Sequence, residues 1–210
     1  MPLKRFAVFA SGGGTDFQSL IDAVQCGIIN AEICCLIAGK PEIYAIQRAE
    51  KAGIPVSVVN KKEYENNDAF DEAIYAALVD ARADFAVLAG YLNILGHKTV
   101  SNYRNRIINI HPALIPSFCG MGYYGSRVHE AVVEAGVKIS GATVHFIDET
   151  ADTGPIIMQE SVPVYCSDTP EDVAQRVLEL EHSILPKAVA LMADGRLRVE
   201  GKKVFILGEK

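Results

Sequence analysis

The chain has no CxxC pair, no surplus of basic residues and no long apolar run. Each absence removes a class of protein. The five cysteines, Cys26, Cys34, Cys35, Cys119 and Cys166, are odd in number and irregularly spaced. That argues against a zinc site or a disulfide framework and for buried free thiols in a reducing cytosol. Cys34 and Cys35 stand side by side in an apolar stretch, so on a regular strand they point to opposite faces. The formal net charge of −6 disfavours nonspecific binding to nucleic acid or anionic membranes, which needs clustered Lys and Arg. It leaves room for a small anionic ligand held by backbone amides. No apolar run approaches the ~20 residues of a membrane span. The apolar stretch after Met1-Pro2-Leu3-Lys4-Arg5 gives way to glycines before it could form a signal segment. Internal repeats, low-complexity tracts and linker-like segments are missing too, so the 210 residues are expected to form one domain, 1–210, with a large buried core.

What is present is a rhythm of short apolar runs and amphipathic segments. Residues 6–10 read as a buried strand, 11–14 as a turn, and 15–27 as a helix whose Phe17, Leu20, Ile21 and Val24 share a face. A strand at 31–38, a helix at 42–52 ended by Gly53, a strand at 54–59, a long helix within 63–83 and a strand at 84–89 follow. This βαβα order predicts an α/β fold with an open, mostly parallel sheet and helices on both faces. The second half is less regular. A short helix at 97–103 and a strand at 106–111 stopped by Pro112 lead into a loop reaching Gly125. A helix at 126–135 with Ser126 as N-cap comes next, then strands at 139–147 and 156–164. A long helix at 169–193 and a hairpin around Gly201 close the chain, so antiparallel additions belong to the C-terminal half.

Three features carry chemistry. Ser11-Gly12-Gly13-Gly14-Thr15 follows the first strand and opens a helix. Glycines allow close backbone approach, and a helix N-terminus suits phosphate. The dinucleotide fingerprint fits poorly, because its third glycine falls at Phe17, and there is no Walker lysine. A mononucleotide or sugar phosphate site and a plain tight turn both remain open. Asn109 and His111, two apart on a strand, project from one face at its carboxyl end, where open parallel sheets bind ligands. The pair offers an amide donor beside a titratable base, or else a histidine that only holds a loop. The acidic turn 148–155 is either a plain connection or the source of a carboxylate that orients His111 and favours its protonated form.

At these residues the chain resembles the phosphoribosylglycinamide formyltransferases. Asn109-Ile110-His111-Pro112-Ala113-Leu114-Ile115-Pro116 is similar to their signature. So are the opening Ala10 to Thr15, Val87-Leu88-Ala89-Gly90-Tyr91, Ala142-Thr143-Val144-His145-Phe146, Asp152-Thr153-Gly154-Pro155-Ile156-Ile157 and Leu180-Glu181-His182. The match runs in order from about residue 5 to residue 197. The resemblance implies a Rossmann-like formyltransferase fold with a phosphate-binding half at about 1–100 and a folate and catalytic half at about 101–210. It implies that Asn109, His111 and Asp152 are catalytic. Gly13, Gly14, Thr15 and Asp16 would hold a ribotide phosphate, and Glu181, with Leu178 nearby, its amine end. Asn67, Leu88, Leu92, Asn93, Ile94, Leu95 and Asn109, with Asp148, Glu149, Thr150, Ala151 and Asp152, would enclose the folate. The activity implied is formyl transfer from 10-formyltetrahydrofolate to glycinamide ribonucleotide in purine biosynthesis, in the cytoplasm, without metal, nucleic acid or membrane, and with a homodimer left open.

Several residues depart from the family pattern. Asp16 replaces a usual asparagine, Asn67 and Asn93 stand where arginines meet the folate tail, and Leu178 replaces a polar residue. Loop 117–127 is longer than in some members, and is either a tolerated insertion or a lid. Among the other histidines, His145 reads as a structural hydrogen-bonding residue, His182 as core or near-site, and His97 and His129 as helix-terminal or surface residues. A tRNA-directed formyltransferase would need a second, basic domain, and a formyl-folate deformylase usually carries an N-terminal regulatory one. The deformylase and a non-catalytic phosphate-binding protein are the alternatives.

Overall fold

The computed structural model describes residues 3–208, in two compact units, Met1–Ile108 and Asn109–Lys210. The first unit contains β1 (Lys4–Ala10), α1 (Thr15–Gln25), β2 (Ala31–Ala38), α2 (Tyr44–Ala52), β3 (Val56–Val58), α3 (Asn67–Asp80), β4 (Phe85–Leu88) and α4 (His97–Asn102). Its strands run in the order β3-β2-β1-β4, and every pairing is parallel. Phe6 to Ala10 and Phe85 to Leu88 are buried without interruption, the pattern of a parallel sheet covered on both faces. Phe6 stacks on Phe85 with ring centroids 5.1 Å apart, and Phe17, Leu20, Ile74 and Leu78 pack from the helices. Val24 is only half-buried; Ala23 takes its place on the buried face of α1.

Glycine and asparagine set the helix ends. Gly53 closes α2 at φ 69°, the left-handed conformation a C-cap favours, as the sequence predicts. The Asn66 side chain accepts the Ala69 amide at 2.8 Å and starts α3 within the range 63–83 expected to hold a long helix, leaving Lys61–Glu63 as a separate 3₁₀ turn. The strand expected at 54–59 shrinks to three residues.

The expectation for Cys34 and Cys35 fails. The pairing of β1 with β2 slips between Phe6 and Ala7, whose partners are Ile33 and Cys35, so Cys34 is the extra residue of a bulge. Alternation is broken there, and both cysteines line one cavity of about 560 Å³ together with Arg5, Ser57 and Arg82. Burial pushes the Cys34 thiol up to about 11. Nor are all five thiols buried, since Cys26 and Cys166 are exposed.

β5 (Ile107–His111) begins in the first unit and ends in the second. The second unit continues with α5 (Ser126–Glu134), β6 (Ile139–Phe146), β7 (Ile156–Pro163), α6 (Pro170–Ala193), β8 (Leu197–Glu200) and β9 (Lys203–Ile206). Its strand order is β5-β6-β7-β9-β8; β6–β7 and β8–β9 are antiparallel, and β7–β9 is parallel. Gly125, not Ser126, is the N-cap of α5, because Ser126 already has helical geometry and caps nothing. Thr169 and Asp172 form a reciprocal capping box that starts α6. Among the described residues no helix is long and apolar enough to cross a membrane.

Candidate active site

The carboxyl end of β5 presents Asn109, half-buried, and His111, buried, on one face, as strand alternation requires. The Asn109 amide nitrogen lies 3.1 Å from His145 Nε2 on β6, and His145 Nδ1 lies 2.8 Å from the Phe146 carbonyl. A carbonyl can only accept, so the proton of His145 sits on Nδ1 and Nε2 is a bare lone pair. Burial holds the His145 pKa below its ordinary value, against the opposing bond to Phe146, so the ring stays neutral. Asn109 Nδ2 must therefore donate to His145, and the orientation of the amide is fixed.

His111 is enclosed by two loops. Its Nε2 lies 2.8 Å from the Phe118 carbonyl, to which it must donate. Its Nδ1 lies 3.7 Å from Asp152 Oδ2, and Asp152 Oδ1 lies 3.7 Å from His145 Nε2. Oδ2 also accepts the Gly120 amide at 2.9 Å. The structure thus brings Asn109, His111 and Asp152 together, although they lie far apart in sequence. A proton on each nitrogen of His111 would meet an acceptor. The thiol of Cys119, in the same loop, is pushed up by burial and by the Asp152 carboxylate, which makes it a poor nucleophile.

The loop 148–155 is built to hold Asp152. Asp148 Oδ1 accepts from the Thr153 hydroxyl at 2.6 Å and the Thr150 amide at 3.1 Å. Lys202 donates to Asp148 Oδ2 at 3.1 Å and to the Thr153 carbonyl at 2.6 Å. Burial raises the Asp148 pKa, but the bonds from Thr153 and Lys202 outweigh it and hold the carboxyl below its ordinary range. Both oxygens of Asp148 are therefore spent in holding the loop, one within it and one to Lys202 in the turn between β8 and β9. Asp152 itself sits at φ 56°, a left-handed conformation uncommon for a residue with a Cβ and one that concentrates at functional sites. At Gly154 an added Cβ would lie 1.7 Å from the Phe146 carbonyl, so only glycine closes this loop. Glu149 and Thr150 are exposed, and Ala151 is half-buried.

The remaining expected residues of the second unit lie on α6, where Glu181 is buried and Leu178, one turn earlier, is half-buried. In the first unit, Gly12, Gly13 and Thr15 are exposed, while Asp16 is buried in the first turn of α1. Gly14 adopts φ 69°, and a Cβ there would meet Ala45 Cβ at 2.8 Å. Asn67 is exposed at the start of α3. Segment 88–95 is anchored at both ends. The Ser11 amide donates to the Gly90 carbonyl at 3.1 Å, and the Leu92 amide donates to Ser11 Oγ at 3.0 Å. Asp71, buried on α3, accepts the amides of Gly96, Lys98 and Thr99 at 3.0, 2.9 and 3.3 Å. Within the segment Leu92 and Ile94 are each 58% exposed, Asn93 is half-buried, and Leu88 and Leu95 are buried.

Sequence reasoning missed several participants. The Phe118 carbonyl and the Gly120 amide are backbone groups, invisible to residue type. Thr143 donates to the Ala113 carbonyl at 2.7 Å and accepts from the Ile115 amide and Gln159 at 3.1 and 2.9 Å, pinning the segment that follows His111. Asp71 stood in an ordinary amphipathic helix pattern with nothing to mark it. His129, expected at a helix end or surface, is buried on α5; burial and the nearby His111 charge hold its pKa below the ordinary value. Loop 117–127 carries Met121 at 79% exposure, with Tyr123 edge-on to Phe118 and Arg127 over Tyr124.

A family model described as formyl transferase matches residues 4–189. The chain is 38% identical over 207 residues to the phosphoribosylglycinamide formyltransferase of Haemophilus influenzae, covering 99% of this chain and 95% of that protein. It is 43% identical over 195 residues to the trifunctional purine biosynthetic protein adenosine-3 of Bos taurus, of which it spans only 19%. Among solved structures, glycinamide ribonucleotide transformylase 1 from Symbiobacterium toebii superposes with a TM-score of 0.93 at 38% identity, covering 98% of this chain and 94% of that one.

Proposed function

Because the chain belongs to the formyl transferase family, we infer that it transfers the formyl group of 10-formyltetrahydrofolate to the amine of glycinamide ribonucleotide, a step of purine biosynthesis. One observation carries the catalytic assignment: Asn109 and His111 share the carboxyl end of β5, and Asp152 lies 3.7 Å from His111 Nδ1. The amine of the ribotide attacks the formyl carbon and an oxyanion develops. Asn109 donates its second amide proton to it, and His111 donates from Nε2 once the oxyanion takes the place of the Phe118 carbonyl at that nitrogen; donors of this kind contribute roughly 3–4 kcal/mol each. His111 then helps move the proton from the attacking amine to the folate nitrogen that leaves. Asp152, held by the Gly120 amide, orients the imidazole.

In this reading Gly13, Gly14, Thr15 and Asp16 hold the phosphate through backbone groups, and Glu181 receives the amine beside Leu178. The anchored segment with Leu88, Leu92, Asn93, Ile94 and Leu95, together with Asn67 and residues 148–152, meets the folate; Asp148 serves by shaping its loop. The two units act as one formyltransferase domain. Five cysteines without a disulfide among the described residues suit the cytoplasm.

The test is loss of formyl-folate absorbance on incubation with the ribotide. Turnover is expected only with ribotide present, and turnover without it identifies a hydrolase. His111→Ala and Asp152→Asn are each expected to lower kcat by about a hundredfold or more. Rates within a few-fold of wild type in both would overturn the catalytic assignment.

A further inference from the structure

The carbonyls of all three glycines of the turn are already taken. Gly12 accepts the Ala45 amide at 3.2 Å, Gly14 accepts the Gln18 amide at 2.9 Å, and Gly13 accepts Arg48 Nε at 2.9 Å. Carbonyls tied back into the protein leave the turn's amides as its outward polar groups, which suits an anion. Two of the three donors are helix backbone. The third is a side chain, and it is charged.

Arg48 lies one turn along α2 from Ala45, against which Gly14 packs. Its guanidinium is held from three sides: by Gly13 at Nε, by Gln18 Oε1 at 3.0 Å from Nη1, and by the Tyr44 ring 5.0 Å beneath it. Gln18 is in turn fixed by a 2.8 Å bond to Asp22. Nη2 has no partner among the described residues. A rigid cation with a spare donor group therefore stands at a turn whose own helix carries Asp16, a carboxylate, in its first turn. A guanidinium presents its donors in a fork that matches phosphate oxygens, and an ammonium does not.

We propose that Arg48 is the residue that makes the glycine turn a phosphate site, by fixing the Gly13 peptide and supplying the positive charge that offsets Asp16, so that it selects phosphorylated substrate over its dephosphorylated form. The inference rests on the reading of this turn as the ribotide's phosphate subsite. Arg48 is a binding and positioning residue and takes no part in formyl transfer.

The experiment compares wild type, Arg48→Met and Arg48→Lys on three probes: glycinamide ribonucleotide, its dephosphorylated riboside, and inorganic phosphate as a competitor. In Arg48→Met the KM for ribotide and the inhibition constant for phosphate are both expected to rise about tenfold or more, the loss of one charge-assisted contact. The kcat, the KM for formyl-folate and the KM for riboside should stay within about threefold. Arg48→Lys keeps the charge but loses the fork, and should fall between. A merely structural role would weaken ribotide and riboside alike. If Arg48→Met melts below the assay temperature, Arg48→Lys decides alone through its phosphate inhibition constant. Unchanged preference for ribotide over riboside in the variants, with wild type showing that preference, overturns the inference. A wild type that transfers formyl groups but neither prefers ribotide nor responds to phosphate overturns the phosphate reading of the turn instead.

Discussion

His145 touches no substrate in the proposed mechanism, yet replacing it should cost catalysis. It is 1% exposed and neutral, and its Nε2 lone pair accepts from Asn109. Replacement by Phe keeps a flat ring and removes both polar contacts. The amide of Asn109 then needs another acceptor, and Asp152 Oδ1 offers one, 3.7 Å from where His145 Nε2 had been. Turning that way removes Asn109 from the formyl oxygen and draws Asp152 off His111. Free randomisation of the amide would cost only about twofold; complete loss of an oxyanion donor costs roughly a hundredfold or more. A fall in kcat of about ten- to a hundredfold is therefore expected for His145→Phe. His145→Gln supplies a control, because its carbonyl can reach the position of Nε2 and accept from Asn109. Both variants lose the Nδ1 bond to Phe146 and should lose similar stability, about 1–3 kcal/mol in urea unfolding. Steady-state formyl transfer should nevertheless separate them, with Gln within a few-fold of wild type and Phe well below it. Equal rates in the two variants at equal stability would refute the orienting role of His145.

The anchor at Asp71 and the buried histidines yield two further expectations. Gly96→Ala has an allowed backbone at φ −86°, but its Cβ would fall 2.5 Å from the Asp71 carboxylate. It should cost about 1–3 kcal/mol of stability and raise the KM for formyl-folate while leaving that for ribotide; equal shifts in both constants would detach segment 88–95 from the folate. The second expectation is a pH dependence. His129 and His145 both have folded pKa values held below the ordinary one, first by burial. The unfolded chain therefore takes up protons first as pH falls below about 6.5, and each group costs up to about 1.4 kcal/mol per pH unit until its folded pKa is reached. The contribution of these groups should be flat above neutrality and fall as pH drops below about 6.5, and His129→Leu should make that fall shallower in urea melts at pH 7.5, 6.5 and 5.5.

The limits of reading this chain from its residues are physical ones. Parallel strands such as β1 and β4 announce themselves because burial on both faces demands unbroken apolar runs, and Gly53 marks a helix end because few other residues adopt its left-handed conformation. The pairing of Asn109 with His111 was legible for the same reason: two residues apart on a strand means one face. A bulge has no such signature. Nothing in Ile33-Cys34-Cys35 states that one residue is surplus against β1, so alternation was extended through it, although both thiols are buried as expected. The deeper difficulty is that the site's organising contacts run through backbone atoms and remote side chains. His111 is met by the carbonyl of Phe118, Asp152 by the amide of Gly120, and the Gly13 carbonyl by Arg48, thirty-five positions away. Residue type encodes what a side chain can donate or accept, whereas backbone partners are chosen by where the chain has been folded. The reacting groups could therefore be named in advance, while the groups that orient them became visible only with the fold.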